Sequence, residues 1–195
     1  MGQRSQIYIR WQKENGDYVL VARYFQWNFA ERMISRTRSL IEELKNNLQY
    51  SFLFNDYKPY ERKIASYCDI NFDFRDIVQN QDIIKEYEEQ GEGNTFKDYV
   101  FLTQDNNDGK LFIDVDVKKQ VIKYCLTTYD MKLLDCRTYL DWDYEEWKHD
   151  LDSDSYSYTI DNLEYIEKNA KLMSKAKLKE FVDFPYNEQF KLPTF

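Results

Sequence analysis

Apolar and polar residues alternate near the start of the chain. Residues 5–11 show this period of two around Ile7 and Ile9, and residues 18–24 resume a strand-like pattern with Val19, Val21 and their neighbours. The connecting residues 14–17 read Glu-Asn-Gly-Asp, and an Asn-Gly pair favours a tight turn because both residues tolerate a positive φ. The pattern therefore predicts a β-hairpin.

The period changes to 3.6 after Asn28. One side of residues 29–48 is apolar, which predicts a long N-terminal helix whose stripe faces the core. Asn28 is a candidate N-cap, with Glu31 at the third helical position to return a hydrogen bond. The stripe comprises Ala30, Met33, Thr37, Leu40, Ile41, Leu44 and Leu48.

The rest of the chain mixes short apolar runs with weaker helical patterns. Residues 99–103 and 111–115 flank an Asp108-Gly109 pair, which predicts a second hairpin, and residues 120–127 can add a strand to it. Residues 133–140 predict a strand or an ordered connection. Helices are predicted at residues 61–68, 73–80, 81–89, 144–151 and, with one apolar face, 161–181.

The composition is that of a folded protein. Hydrophobic residues make up 43% of the 195 residues and aromatic residues 17%, and no repeat or low-complexity linker divides the chain. The sequence predicts a single α+β domain over residues 1–195. In that domain, antiparallel β-hairpins pack against the long N-terminal helix and a C-terminal helix.

Charge is unevenly distributed. Residues 1–75 carry a net charge of +3 and residues 76–195 carry −11, for a total of −8. Nucleic acid and anionic membranes repel such a protein, so direct nucleic-acid binding is not expected. No apolar stretch approaches the roughly 20 residues that span a bilayer, and the first ten residues lack the apolar core of a secretory signal. A cytoplasmic location is expected.

The most acidic segment is residues 130–167, where twelve carboxylates stand against three cations and Trp and Tyr side chains lie among them. Disordered acidic tails are poor in aromatics, so this segment is expected to fold. Two interpretations remain open: a solvated face, or a docking surface whose carboxylates replace phosphates and whose rings act as anchors. The candidate partner-binding residues are Asp141, Trp142, Asp143, Tyr144, Glu145, Glu146, Trp147, Asp150, Asp152 and Asp154.

Patterns for catalysis and metal binding are incomplete. Residues 150–161 carry aspartates at the first, third, fifth and twelfth positions of a calcium loop, but Ser155 stands where that loop needs glycine. His149 is the only histidine, and Cys68, Cys125 and Cys136 are widely spaced, which argues against a catalytic triad, a zinc site or a disulfide framework. We expect no enzyme activity, no cofactor and no metal. A metal-dependent enzyme built on scattered carboxylates is an alternative that metal titration would test.

The opening MGQRSQIYIR and the segment VARYFQWNFAERMISR at residues 21–36 resemble small accessory proteins carried by phages and prophages of low-GC Gram-positive bacteria. The resemblance covers about the first fifth of the chain. Ala30 stands where the resemblance leads us to expect glycine, a change expected to let the helix start more firmly. The resemblance implies a phage origin and transfers no site residues.

Accessory phage proteins of this size and acidity are often antagonists of host defence. The resemblance therefore implies an inhibitor of anti-CRISPR type that binds a basic, nucleic-acid-handling host nuclease, such as Cas9, through the acidic segment. The alternative is a phage regulatory or replication accessory protein that binds nucleic acid through Arg32 and Arg36 of the first helix. The net negative charge favours an intramolecular role instead, in which those arginines pair with the chain's own carboxylates.

Overall fold

The computed structural model describes residues 3–12, 18–26, 28–47, 72–75, 97–102 and 107–186. A mixed α/β architecture is confirmed. Within these ranges the strands are β1 (Arg4–Gln12), β2 (Tyr18–Gln26), β3 (Phe72–Arg75), β4 (Lys110–Asp116), β5 (Val121–Thr127), β6 (Leu133–Leu134) and β7 (Lys171–Leu172). The helices are α1 (Ala30–Asn47), α2 (Cys136–Asp143), α3 (Trp147–Asp150), α4 (Ser153–Asn169) and α5 (Lys175–Asp183), with a π-helical turn at Asp98–Leu102.

The strands form one mixed sheet in the order β3-β2-β1-β4-β5-β6, with β7 beside β5. β1 pairs antiparallel with β2 and parallel with β4, so that Ile7 lies opposite Arg23 on one side and Leu111 on the other. β7 also runs parallel to its neighbour. The sheet therefore contains parallel pairs as well as antiparallel ones.

Each face of the sheet has its own core, because successive residues of a strand point to opposite faces. Ile7 and Ile9 of β1 pack on the side covered by α1, α2 and α4, which we call the α1 face. Tyr8 of the same strand packs with Phe112 and Phe181 on the side covered by α5 and the π-helical turn, which we call the α5 face. Both cores are closed to solvent at their centres.

The α5 face also buries an ionic cluster. Arg10 lies opposite Asp114 in the β1–β4 register, and its Nε donates to Asp114 Oδ1 at 2.7 Å while Nη2 donates to Glu180 Oε1 at 3.1 Å. The guanidinium lies between the rings of Tyr18 and Phe181, 4.5 Å from each centroid. This cluster connects α5 to the middle of the sheet.

The start of α1 differs from expectation in two respects. Asn28 does not cap the helix: its buried amide donates to the Ser5 hydroxyl at 2.8 Å, and its carbonyl accepts a hydrogen bond from Arg36. Ala30 has a φ of 45°, in the left-handed region that favours glycine. The expectation that alanine makes the helix start more firmly is therefore wrong, since glycine would adopt this φ with less strain.

The predicted second hairpin is wrong, because the first of its two segments forms the π-helical turn instead of a strand. β4 pairs with β1 and β5. The turn before β4 needs Gly109, whose φ is 81° and where a Cβ atom would lie 2.1 Å from the backbone oxygen of Thr127. The Asp-Gly pair therefore starts a strand parallel to β1.

Several predicted boundaries also change. Residues 133–140 divide into β6 and α2, and the single helix predicted at 161–181 is two helices, because the chain is extended at Ala170 and Ser174 caps a new helix by accepting from the Lys177 N–H. The short helix predicted at 144–151 is limited to α3. Residues 73–75 lie in β3 and not in a helix. The turn at 14–17, the helices at 61–68 and 81–89, and Cys68 lie outside the described residues.

Cys125 and Cys136 are buried free thiols, as the composition predicts. No helix in the described part of the chain is both long and apolar enough to cross a membrane.

Candidate functional site

The acidic segment folds as three successive helices, and some of its carboxylates are helix caps. Asp135 caps α2 in a capping box, accepting from the Thr138 N–H at 2.8 Å while the Thr138 hydroxyl accepts from the Asp135 N–H at 3.0 Å. Asp152 caps α4 by accepting from the Ser155 N–H at 2.8 Å, a bond that holds the pKa of Asp152 below its usual range. Carboxylates at helix N-termini are stabilised there, so local folding explains part of the acidity.

Asp143 has an internal role. Its Oδ2 accepts from the Ala30 N–H at 2.6 Å and from the Tyr139 hydroxyl at 3.0 Å, so it binds the N-terminus of α1 from the end of α2. Partial burial raises the pKa of Asp143. Its prediction as an exposed docking residue is therefore wrong, because the backbone of α1 occupies its carboxylate.

A second carboxylate lies close to Asp143. Asp108 is 8% exposed, and its side chain accepts from the Arg4 N–H, while its backbone carbonyl accepts from the Tyr139 hydroxyl at 2.8 Å. Burial, with the charge of Asp143 adding to it, raises the pKa of Asp108 to about 6. In the sequence Asp108 is recognisable only as part of a turn, since nothing in the local pattern reveals a neighbour from α2.

Trp147 is not a surface anchor. Its side chain is 2% exposed and belongs to the α1-face core, where it stacks on Tyr156 with 5.7 Å between centroids. The indole Nε1 donates to Asp141 Oδ1 at 2.9 Å, and this bond holds the pKa of Asp141 below its usual range. Burial of this large apolar ring stabilises the α1-face core, even though the residues next to it in the sequence are acidic.

Tyr144 and Asp150 also interact with each other, the Tyr144 hydroxyl donating to the Asp150 carboxylate across the start of α3. Tyr144 is half-buried, whereas Asp150 is exposed. The pair stabilises this turn of the chain.

Between Asp141 and Tyr158, six carboxylates and three aromatic rings are exposed to solvent, and we call them the acidic surface. Trp142 is 37% exposed, Tyr156 37% and Tyr158 53%. Asp154 and Tyr158 lie one turn apart in α4, which places them on the same side of that helix. The carboxylates of the acidic surface are Asp141, Glu145, Glu146, Asp150, Asp152 and Asp154.

The charge of the acidic surface is only slightly compensated nearby. Lys148 lies 3.1 Å from Asp141 and 5.3 Å from the centroid of Trp147. Arg137 is committed to Glu167 by two hydrogen bonds of 2.6 and 3.0 Å. Most of the negative charge therefore remains directed to solvent.

Tyr156 and Tyr158 were not among the candidate residues, although the rings are visible in the sequence. Their spacing from Asp154 becomes informative once α4 is known to begin at Ser153 rather than near residue 161. The early helix start is signalled by Asp152, an N-cap residue with polar neighbours that hide the helical pattern.

The arginines of α1 are used differently from what the nucleic-acid alternative requires. Arg36 is 8% exposed, and its guanidinium lies 5.0 Å from the Phe25 centroid. Arg38 donates to Asn162 Oδ1 at 3.2 Å and lies over the Tyr165 ring. Arg32 is exposed, so Arg32 and Arg36 do not form the shared basic face that the helical spacing predicts.

The carboxylates of residues 150–161 do not converge. Asp154 and Asp161 both lie within α4 and Asp152 caps it, so their oxygens are spread along a helix. Among the residues that the structure describes, no group of three or more His, Cys, Asp or Glu side chains is placed to hold a metal ion. His149 is exposed on α3.

No protein-family model matches the chain, and comparison with curated proteins and with solved structures finds no match.

Proposed function

We propose that the protein is a phage-encoded inhibitor of a host defence nuclease, of anti-CRISPR type, acting in the cytoplasm of the bacterial host. It binds a basic nucleic-acid channel, such as that of Cas9, through the acidic surface and competes with nucleic acid there. It does so without enzyme activity or a cofactor. The scaffold is a single domain in which the long N-terminal helix and the C-terminal helix α5 cover opposite faces of a mixed sheet that includes antiparallel hairpins.

One observation carries the proposal: exposed carboxylates and exposed rings share one continuous stretch of α2, α3 and α4. Glu145 and Glu146 are exposed and cap no helix through their side chains, unlike Asp135 and Asp152. Trp142 adds a large ring with a third of its surface in solvent. Aromatic side chains surrounded by charge are the residue types that dominate binding energy at interfaces.

The spacing of charge supports a competitor of nucleic acid. Carboxylates distributed over three short elements present negative charge over a surface instead of at one point, as a phosphate backbone does. Arg and Lys side chains of a nuclease channel would meet these carboxylates through charge-assisted hydrogen bonds. Attraction between opposite charges would also raise the association rate, and salt would lower it.

The direct test is binding of the protein to purified Cas9 loaded with guide RNA. Calorimetry or interferometry is expected to show affinity that falls as salt rises, and target DNA is expected to compete. Glu145→Gln with Glu146→Gln is expected to weaken binding roughly tenfold, since each charge pair at an interface contributes about 0.5–1 kcal/mol.

The matched control is Asp130→Asn with Glu164→Gln, which removes the same charge from two exposed positions outside the acidic surface. This control is expected to retain affinity within about twofold. Equal losses of affinity in both variants would show that binding depends only on net charge, and would reject the assignment of binding to the acidic surface. No binding to Cas9 or to other guide-loaded defence nucleases would reject the proposed function itself.

The nucleic-acid alternative is less well supported, because Arg36 is buried in the contact with Phe25. Gel-shift measurements at low salt test it directly. Retention of DNA or RNA that is lost on Arg32→Ala would favour the alternative, whereas no retention would exclude it.

A further inference from the structure

A groove of about 420 Å³ lies on the edge of the α5 face, between the π-helical turn, the loop before β6 and α5. Its floor is apolar. Leu102 is 41% exposed there, and Met131 and Leu133 are half-buried. Leu178 and Val182 of α5 complete the floor. The volume lies within the range of small-molecule sites, which are mostly apolar with a few polar groups.

The rim of this groove is basic, in contrast to the chain as a whole, which carries −8. Its four lysines are Lys97, Lys132, Lys175 and Lys179. Asp183 forms ion pairs with two of these, Lys97 and Lys179. Lys132 and Lys175 form no ion pair with any described residue, so two ammonium groups remain for an anion.

A fifth lysine lies beneath the floor. Lys110 is 1% exposed, and its Nζ donates to the Tyr129 carbonyl at 2.9 Å and lies 3.7 Å from Met131 Sδ. Burial lowers the pKa of Lys110 to about 8, so it is still largely charged at neutral pH. The charge of Asp130 opposes this lowering of the pKa, so Asp130 already compensates part of the charge of Lys110 and the lysine adds only the remainder to the groove.

We propose that this groove, which we call the lysine groove, binds a long-chain fatty acid. The acyl chain lies on the floor formed by Leu102, Met131 and Leu133, and the carboxylate interacts with Lys132 and Lys175. Nothing covalent occurs.

The chemistry of the floor and the rim selects this class of ligand. A nucleotide would place its polar base and sugar against the apolar floor, where their hydrogen bonds would be lost. An extended acidic peptide would leave backbone groups unpaired in the same place. A neutral apolar molecule would make no use of the two free ammonium groups, whereas a fatty acid satisfies both the floor and the rim.

The probe is dodecanoate, titrated below its micellar concentration and followed by calorimetry and by the methionine methyl resonances of the full chain. One-to-one saturable binding is expected, with a shift of the Met131 methyl signal and no shift of Met33, which is buried under α1. Assignment comes from Met131→Leu and Met33→Leu. Dodecyltrimethylammonium, with the same chain and the opposite charge, is expected to bind at least tenfold more weakly.

Two pairs of substitutions separate the lysine groove from general charge. Lys132→Gln with Lys175→Gln is expected to weaken dodecanoate binding roughly fivefold, in line with exposed charge pairs. The control, Lys118→Gln with Lys168→Gln, removes the same charge from exposed positions elsewhere and is expected to change the affinity less than about twofold. Both pairs are on the surface, so folding is retained.

Three outcomes would overturn the proposal. The first is no saturable binding of dodecanoate or of longer acids. The second is equal binding of the cationic amphiphile or equal effects of the two lysine pairs. The third is association only with vesicles of anionic phospholipid and not with the free acid, which would assign the lysines to a membrane surface. Each outcome is independent of whether the acidic surface binds a nuclease.

Discussion

The two faces of the sheet hold their charges in different ways. On the α5 face a cation is enclosed: Arg10 is fully buried between two rings and paired with Asp114 of the neighbouring strand. On the α1 face Arg36 is also buried, but it packs on Phe25 and donates to Asn28. The carboxylates described there bind backbone N–H groups: Asp135 and Asp152 cap helices and Asp143 binds the start of α1.

Buried and capping charges stabilise the fold, whereas the remaining exposed carboxylates are not needed for it. A buried ion pair is costly to break because the remaining partner cannot be solvated. A carboxylate bound to backbone N–H groups contributes a modest amount, and an exposed one contributes little. We therefore expect substitutions to be most harmful on the α5 face and least harmful on the acidic surface.

The largest effect is expected at Arg10. Arg10→Met leaves Asp114 buried with Lys177 as its remaining cation and is expected to lower the free energy of unfolding by about 3–5 kcal/mol, measured by urea titration. Adding Asp114→Leu is expected to recover part of the loss. Arg137→Met, which breaks an exposed pair with Glu167, is the control and is expected to cost less than about 1 kcal/mol. Similar losses of stability in Arg10→Met and Arg137→Met would show that burial of the ion pair does not set its contribution to the fold.

The next effect concerns Asp108, whose pKa in the folded protein, about 6, lies above its usual value of 3.8. The folded state then binds the proton more tightly than the unfolded state, so this group's contribution to stability falls as pH rises from about 4 to above 6. Asp108→Asn removes the charge and is expected to raise the free energy of unfolding at pH 8 by up to about 3 kcal/mol. The gain should shrink when the same urea titration is repeated near pH 4.

Two neighbouring groups, one carboxylate and one backbone N–H, act on the pKa of Asp108. Asp143 raises the pKa of Asp108, and the Arg4 N–H lowers it by hydrogen bonding. A variant that is less stable than the parent by the same amount at both pH values would show that the hydrogen bond of Asp108, and not its burial, dominates.

A smaller effect distinguishes the two tryptophans of the acidic segment. Trp147→Phe loses the hydrogen bond to Asp141 and part of a buried ring, and is expected to lower the free energy of unfolding by about 1–2 kcal/mol. Trp142→Phe, at a ring that is 37% exposed, is expected to cost less than about 0.5 kcal/mol. Thermal unfolding of the two variants gives this order directly, and the reverse order would place Trp142 in the core.

The smallest effect is expected where binding is proposed. Glu145→Gln with Glu146→Gln should leave the free energy of unfolding within about 0.5 kcal/mol of the parent, because both side chains are exposed. A greater loss would mean that these carboxylates stabilise the fold, and any weakened binding in this variant could no longer be assigned to the acidic surface.

Patterns of short range were the most informative part of the sequence. The strand patterns of residues 5–11 and 18–24 correspond to β1 and β2, and the stripe of residues 29–48 overlaps α1. Buried free thiols at Cys125 and Cys136 also agree with the composition. These features follow from the periods of strands and helices, which depend only on neighbouring residues.

The candidate site was predicted less well than the fold class. Asp143 and Trp147 lie in an acidic, polar stretch, yet one binds the backbone of Ala30 and the other fills the α1-face core. Arg36 lies beside the helical stripe and is nevertheless buried against Phe25. In each case the deciding partner is a residue that folding brings close, so residue type and spacing alone gave the wrong exposure.

What the sequence determined by itself is the mixed α/β class, the acidity of residues 130–167 and the rings among those acids, because composition and local period are written along the chain. Only the tertiary structure decided which of these acids remain exposed. The parallel pairing of β1 with β4 and the docking of α2 onto the start of α1 join segments about a hundred residues apart. Such contacts depend on how whole faces fit together, which no local pattern encodes.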